Sequence, residues 1–223
     1  MSNPTYSVFF DNDSTLAGTA CLYQILTSPP SGAYVVAWLA SYAYPTSTIE
    51  FSWSPVWDFV WSQSGQLGGG GAVINAGQVW PVTSMLTANQ VTLTSGNGTF
   101  TFESQTSGTT ANALYIEQDD TIPAYAAAAG IGMDGAAVCV VQASPNVTVS
   151  FTLQSEYWIA FGTFTSGQTL QPPINGAVQV SFPANTYAMT ATLGANNLIT
   201  VEATPDIEAA RADVRRSRVR FGF

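Results

Sequence analysis

The chain is predicted to be all-β: a single antiparallel sandwich or jelly-roll-like domain that ends in a short helix, an extended arm, or both. Three observations predict this. Apolar residues recur at every second position in short runs, the period of a strand rather than of a helix. About fourteen such runs follow one another, each closed by Pro, Gly, Asn or Asp, the regular spacing of sandwiches and barrels. No interior shift of composition divides the 223 residues, so one acidic body is expected over residues 1–204 and a basic tail over 205–223. No fixed-period repeat stands out.

Taken in order, Tyr6–Phe10 runs into Asp11-Asn-Asp-Ser-Thr, where short polar side chains bond their own backbone in a turn. Gly18–Leu26 follows, and Pro29-Pro30 breaks it. Ala33–Ala40 is a nearly continuous apolar run, as expected of a strand covered on both faces. Thr48–Trp53 alternates cleanly, and Val56–Trp61 places Trp57, Phe59 and Trp61 on one side. After the Gly68–Gly71 loop come Ala72–Asn75 and then Gln90–Thr94 and Thr99–Glu103. The last two flank Ser95-Gly-Asn-Gly98, a hairpin signal because Gly and Asn accept positive φ. Ala113–Glu117 is another strand, and the alanines of Pro123–Ala129 fit a helical turn. Ala136–Gln142, Val147–Leu153, Glu156–Phe164, Ala177–Phe182, Thr186–Leu193 and Asn197–Ala203 complete the body.

The tail begins at Pro205-Asp206. Asp206 and Glu208 precede the arginines, the order of charge that a helix dipole favours, and Ile207, Ala210 and Val214 share a helical face. Beyond Ser217, Val219, Phe221 and Phe223 alternate with Arg218 and Arg220, so the helix is expected to give way to an extended arm.

Charge is partitioned between these two parts. The chain has 14 acidic residues, five basic ones and no His, for a net −9. All five cations are arginines in the tail: Arg211, Arg215, Arg216, Arg218 and Arg220. With Asp213 they give residues 211–223 a net +4, while residues 1–210 hold the other thirteen acids and no base. No ion pair can form within residues 1–210. The acidity opposes nucleic acid and anionic membranes. At 9% charged residues the surface is mostly neutral and poorly defended against self-association.

The catalytic inventory is thin. Without His or Lys the usual general bases, Schiff-base chemistry and common zinc sites are missing. Glu50 with Asp58, or Asp119 with Asp120, is a conceivable carboxylate pair, but the second pair reads as a solvated turn. Gly130-Ile-Gly-Met-Asp-Gly135 matches a dinucleotide fingerprint, yet an apolar strand rather than a helix follows it, so it reads as a turn. Asp11-Asn12-Asp13 lacks the rest of a calcium loop. No metal, cofactor or enzymatic activity is expected. Cys21 and Cys139 lie in apolar alternating segments and read as buried thiols. The first residues lack a positively charged region and a long apolar one, so no cleavable signal peptide is expected. The expected location is the cytoplasm, or outside it by a signal-peptide-independent route.

Several blocks, namely Val8–Gln24 (VFFDNDSTLAGTACLYQ), Glu50–Gly65, Gly130–Leu153, Glu156–Phe164 and Phe182–Leu193, resemble the RhiA-type, rhizosphere-expressed proteins of rhizobia and related bacteria. The resemblance runs over roughly residues 6–200 and leaves the tail outside. It implies an abundant, density-regulated bacterial protein, and it brings no catalytic residues with it.

Two functions are compatible with these features. The first is a self-assembling structural protein, a filament or other homopolymer, in which the tail docks on the acidic body of a neighbouring copy. Arg211, Arg215, Arg216, Arg218, Val219, Arg220, Phe221 and Phe223 would form the contact. The second is a carbohydrate-binding, lectin-like module in which Trp53, Trp57 and Trp61 form a stacking platform.

Overall fold

The computed structural model describes residues 4–68 and 71–222. Eighteen strands and one helix follow in chain order. The first nine strands are β1 (Tyr6–Asn12), β2 (Gly18–Leu26), β3 (Tyr34–Val36), β4 (Leu39–Ala43), β5 (Thr48–Trp53), β6 (Trp57–Ser62), β7 (Gln78–Pro81), β8 (Gln90–Gly96) and β9 (Thr99–Thr106). Then come β10 (Ala113–Gln118), β11 (Ala128–Met133), β12 (Ala136–Gln142), β13 (Val147–Thr152), β14 (Ser155–Gly162), β15 (Thr169–Leu170), β16 (Val178–Val180), β17 (Ala188–Leu193), β18 (Ile199–Ala203) and α1 (Ile207–Phe221).

Four sheets result, in the orders β18-β17-β1-β5, β9-β8-β10-β13, β16-β14-β2-β4 and β7-β6-β11-β12-β3-β15. The alternating side chains of all four contribute to one main core, which runs from Val8, Phe10 and Leu22 through Phe59 and Ile131 to Phe151 and Ile159. Neighbouring strands are antiparallel except for two pairs, β1 with β17 and β8 with β10.

Those two exceptions reveal a duplication. If β1, β2, β4, β5, β6, β7, β8 and β9 are matched in order to β10, β11, β12, β13, β14, β16, β17 and β18, every pairing maps onto another pairing of the same sense. β1–β17 becomes β10–β8, β1–β5 becomes β10–β13, and β2–β14 becomes β11–β6. The remaining pairs, β2–β4 with β11–β12, β14–β16 with β6–β7, and β17–β18 with β8–β9, follow suit. With β3 and β15 set aside, each sheet takes its two central strands from different halves, and the halves interlock around a pseudo-two-fold axis.

The repeat is also written in the chain, a hundred positions apart. Ala43-Tyr-Pro-Thr-Ser-Thr-Ile-Glu-Phe-Ser52 is matched by Ala143-Ser-Pro-Asn-Val-Thr-Val-Ser-Phe-Thr152. Thr46 and Asn146 take the same left-handed turn, with φ of 63° and 57°. The expectation of no repeat is thus corrected. Shared identities are few, and β3 and β15, which have no counterpart in the other half, interrupt the spacing.

Other differences are local. Ala33–Ala40 is two short strands, because the chain leaves the β12 sheet after Val36 and joins the β2 sheet at Leu39. Ala72–Asn75 contributes an isolated bridge from Val73 to Gln168 and no strand. Pro123–Ala129 forms no helix: a turn leads directly into β11. Gly130 and Gly132 lie within that strand, and the turn is confined to Asp134-Gly135, both at positive φ. Gly130 is there for room, since a Cβ would stand 2.1 Å from the Cys139 carbonyl oxygen. The loop before β7 sends Leu67 and Ile74 onto the second face of this sheet, against Val60, Ala128 and Val140. That is why β11 is buried along its whole length. The Ser95–Gly98 hairpin is as expected, with Asn97 and Gly98 at positive φ.

Candidate functional site

The tail is a single helix lying on the outer face of the β1–β5 sheet. Asp206 caps its start by accepting a bond from the Ala209 N–H at 3.0 Å, and Gly222 ends it in the left-handed conformation, donating its N–H to the Arg218 carbonyl at 2.8 Å. The extended arm expected beyond Ser217 is helical as far as Phe221, and Phe223 falls outside the described residues. Helical spacing explains the difference. Val214, Ser217 and Phe221 fall on one face, which meets the body, whereas a strand would have placed Val219 beside Phe221.

That inner face is held at several points. Val214 is 4% exposed and packs on Phe9 and Ala188. The Ser217 hydroxyl accepts the Thr48 backbone N–H at 2.8 Å, which satisfies an amide of β5, an edge strand. Arg211 Nε approaches Glu50 Oε1 at 3.4 Å, and the Ser7 hydroxyl donates to the same oxygen at 3.1 Å. Arg220 donates to the Thr46 hydroxyl at 3.0 Å, and Phe221 stacks on Tyr44, with ring centres 4.9 Å apart and planes 9° from parallel. Beneath the helix, burial pushes the Asp11 carboxyl up from its ordinary value. The Thr48 hydroxyl, donating at 2.6 Å, opposes that shift, and the charges of Asp13 and Asp213 add to it.

The outer face is different. Arg215, Arg216 and Val219 are exposed and, with Ala212 and Arg220, line a shallow groove. Arg216 is paired with Asp213, one turn earlier on the helix. Val219 is 89% exposed, an apolar side chain ringed by arginines with no core beneath it. Arg218 is exposed at the flank of the helix. Of the tail residues predicted to bind a partner, Arg211, Arg220 and Phe221 therefore touch their own body, while Arg215, Arg216, Arg218 and Val219 face outward.

The three tryptophans do not share an exposed face. Trp53, 1% exposed, sits on β5 within an aromatic cluster with Tyr6, Trp38, Tyr157 and Phe182. Trp61, on β6 of another sheet, packs on Phe100 and donates its indole N–H to Gln78 at 3.0 Å. Trp57, half-buried, lines a hollow with Met85, Asn112 and Leu153.

Asp58 is buried and accepts the Gly135 N–H at 2.7 Å, holding the β11–β12 turn. Glu50, by contrast, belongs to the other sheet, where it faces α1. Asp119 bonds the Thr121 backbone N–H, 3.0 Å away, in a local turn. Both cysteines are buried free thiols pushed up to about 12 by burial. Among the described residues no cluster of His, Cys, Asp or Glu has the arrangement of a metal site.

Residues 3–204 match the family model of RhiA. The chain belongs to the RhiA family. It is 30% identical over 196 residues to Protein RhiA of Rhizobium leguminosarum bv. viciae, covering 86% of this chain and 84% of its relative. No solved structure matches it. The RhiA match ends at Thr204, just before α1. The duplicated β body is thus the RhiA unit, and the basic helix lies beyond it. What sequence reasoning missed was the seat of this helix: Tyr44, Thr48 and Phe9 gave no signal of their own, and Glu50 was considered only as a conceivable carboxylate partner of Asp58.

Proposed function

We propose that this RhiA-family chain is a self-assembling structural protein, a homopolymer without catalytic activity, in which the basic C-terminal helix of one copy meets the acidic body of the next. One observation carries the reading: Val219, Arg215 and Arg216 form an exposed stripe on the cationic element of an otherwise acidic chain. An apolar centre rimmed by arginines is the composition of a protein interface rather than of a solvated helix face. The helix Ile207–Phe221 carries +3 and the rest of the chain −12, so another copy offers the outward arginines a surface of opposite charge. A helix meeting a different patch on its neighbour is a heterologous contact, which closes into rings or runs on as filaments. The tryptophan placements favour no sugar platform.

The test is the native mass of the protein by light scattering and its appearance in electron micrographs, beside the triple variant R215E/R216E/V219D. Wild type is expected as a homopolymer and the variant as a much smaller species with the same circular dichroism. A wild type that stays monomeric at all concentrations overturns the reading.

A further inference from the structure

Two sheets of the body are pseudo-symmetric mates, and they are covered unequally. On the β1–β5 sheet the outward residues Phe9, Thr48 and Glu50 lie under α1. Their counterparts on the β8–β10–β13 sheet are Tyr115, Thr148 and Ser150. No helix lies on that sheet among the described residues: a loop covers Tyr115, with Gly108 against its ring and Thr110 Oγ1 3.1 Å from its hydroxyl, while Thr148, Ser150 and Thr152 of the edge strand β13 are exposed. Native proteins blunt such edges, and α1 does so for β5.

The exposed part of this face carries its own charge. Glu117 on β10 and Glu103 on β9 are both exposed, and each is in register with Thr92 of β8, which lies between them. Two strand spacings place these carboxylates about 10 Å apart on one row. Neither makes an ion pair among the described residues. At the β13 end of the row, Thr148 is in register with Glu117, and with Ser150 and Thr152 it borders a hollow walled by Pro29 and Pro30.

We infer that the exposed part of the β8–β10–β13 face, through Glu103, Glu117 and the Thr148–Pro30 hollow, receives the outer stripe of α1 from a second copy. This rests on the self-assembly reading and names its receiving surface. Arg215 and Arg216 meet the two glutamates, and Val219 enters the hollow. The occupant is a second copy because the chain's cations are all on α1, and the inner face of that helix is already bound to its own body. The occupant cannot dock as α1 does in cis, since Ser150 stands where Glu50 receives Arg211. The helix is thus held between two sheets, its own and its neighbour's, as though the less covered mate borrowed a cover. Donor and acceptor surfaces differ, so the contact has a direction and does not close on itself as a two-fold dimer would.

Charge reversal on each side tests the surface. The variants E103R/E117R and R215E/R216E alter only exposed side chains and keep the wild-type melting profile as a folding control. Each alone is expected to raise the concentration needed for assembly by at least roughly tenfold. Mixed in equal amounts they are expected to co-assemble, because the acidic helix of one then faces the basic sheet of the other, in alternation. If wild type polymerises and R215E/R216E does not, but E103R/E117R assembles normally, this receiving surface is wrong while helix-driven assembly stands. Failure of the mixture to co-assemble also overturns the pairing. A monomeric wild type overturns the self-assembly reading itself.

Discussion

The Gln24 amide donates to the sulfur of Met133, Nε2 to Sδ, at 3.6 Å. These residues hold equivalent positions in the two halves of the chain: Gln24 is paired with Tyr157, and Met133 with Trp57, a hundred residues earlier. Their contact therefore marks where the pseudo-two-fold axis crosses the core. Around it the symmetry is broken chemically, since one half supplies an amide and the other a thioether. The Tyr157 hydroxyl also reaches the Met133 sulfur, at 3.8 Å, and the Trp38 indole N–H donates to the Met133 carbonyl at 3.0 Å.

Met133→Ala should cost about 2–5 kcal/mol, because the side chain is 2% exposed and its loss opens a cavity where both halves meet. Urea melts of the variant and wild type give the value. A loss below about 1 kcal/mol would show that the axis is not a tightly packed junction.

Val214 is the apolar anchor of α1. Val214→Asp buries a charge against Phe9 and should release the helix while leaving the β body folded. Every trypsin site of the chain lies on α1. Brief digestion should therefore trim the variant faster than wild type and leave an intact body of the same mass in both. Equal rates of trimming would mean that the docked helix gives no protection.

The two thiols, pushed up to about 12 by burial, are protonated at every physiological pH. Neither should react with a thiol reagent at pH 8 in the native protein, and both should react in denaturant. Rapid native labelling at either position would contradict their placement in the core.

Asp58 supplies a pH dependence of defined sign. Burial raises its carboxyl above 3.8, the Gly135 N–H opposes the rise, and the charge of Asp134 adds to it. The folded state therefore holds this proton more tightly than the unfolded one. The group's contribution to stability is fully present below 3.8 and is lost as pH rises through the raised folded value. Asp58→Asn keeps an acceptor for the Gly135 N–H and should remove that loss, giving a flatter melting-temperature profile across mildly acidic pH. A slope unchanged from wild type would assign it to other carboxylates.

Much of this architecture was legible in the chain, and the exceptions are instructive. Alternation located most strands because one face of each packs on the core and the other does not, as in β5 and β9. The Asp206 cap and the order of charges located α1. The far end of α1 was misread because Arg218-Val-Arg-Phe221 fits a period of two, while the helical face that binds the body has a serine at its centre. Ser217 is buried for its hydroxyl rather than for its hydrophobicity, and no apolar pattern records that. The duplication escaped because β2 and β11 keep only their pairing partners and almost none of their residues. The row of Glu103 and Glu117 was invisible, since the two are neighbours only through the strand between them.

The parallel pairing of β1 with β17 has a consequence for synthesis. Tyr6–Asn12 leaves the ribosome well before its parallel partner Ala188–Leu193, with fifteen other strands made between them. Until then β1 has β5 on one side and an open edge on the other, with Val8 and Phe10 lacking half of their cover. β10, by contrast, finds β8 already made. Of the two copies of one design, one therefore closes as it is made and the other waits, and the nascent chain must hold an adhesive strand in reserve until β17 arrives.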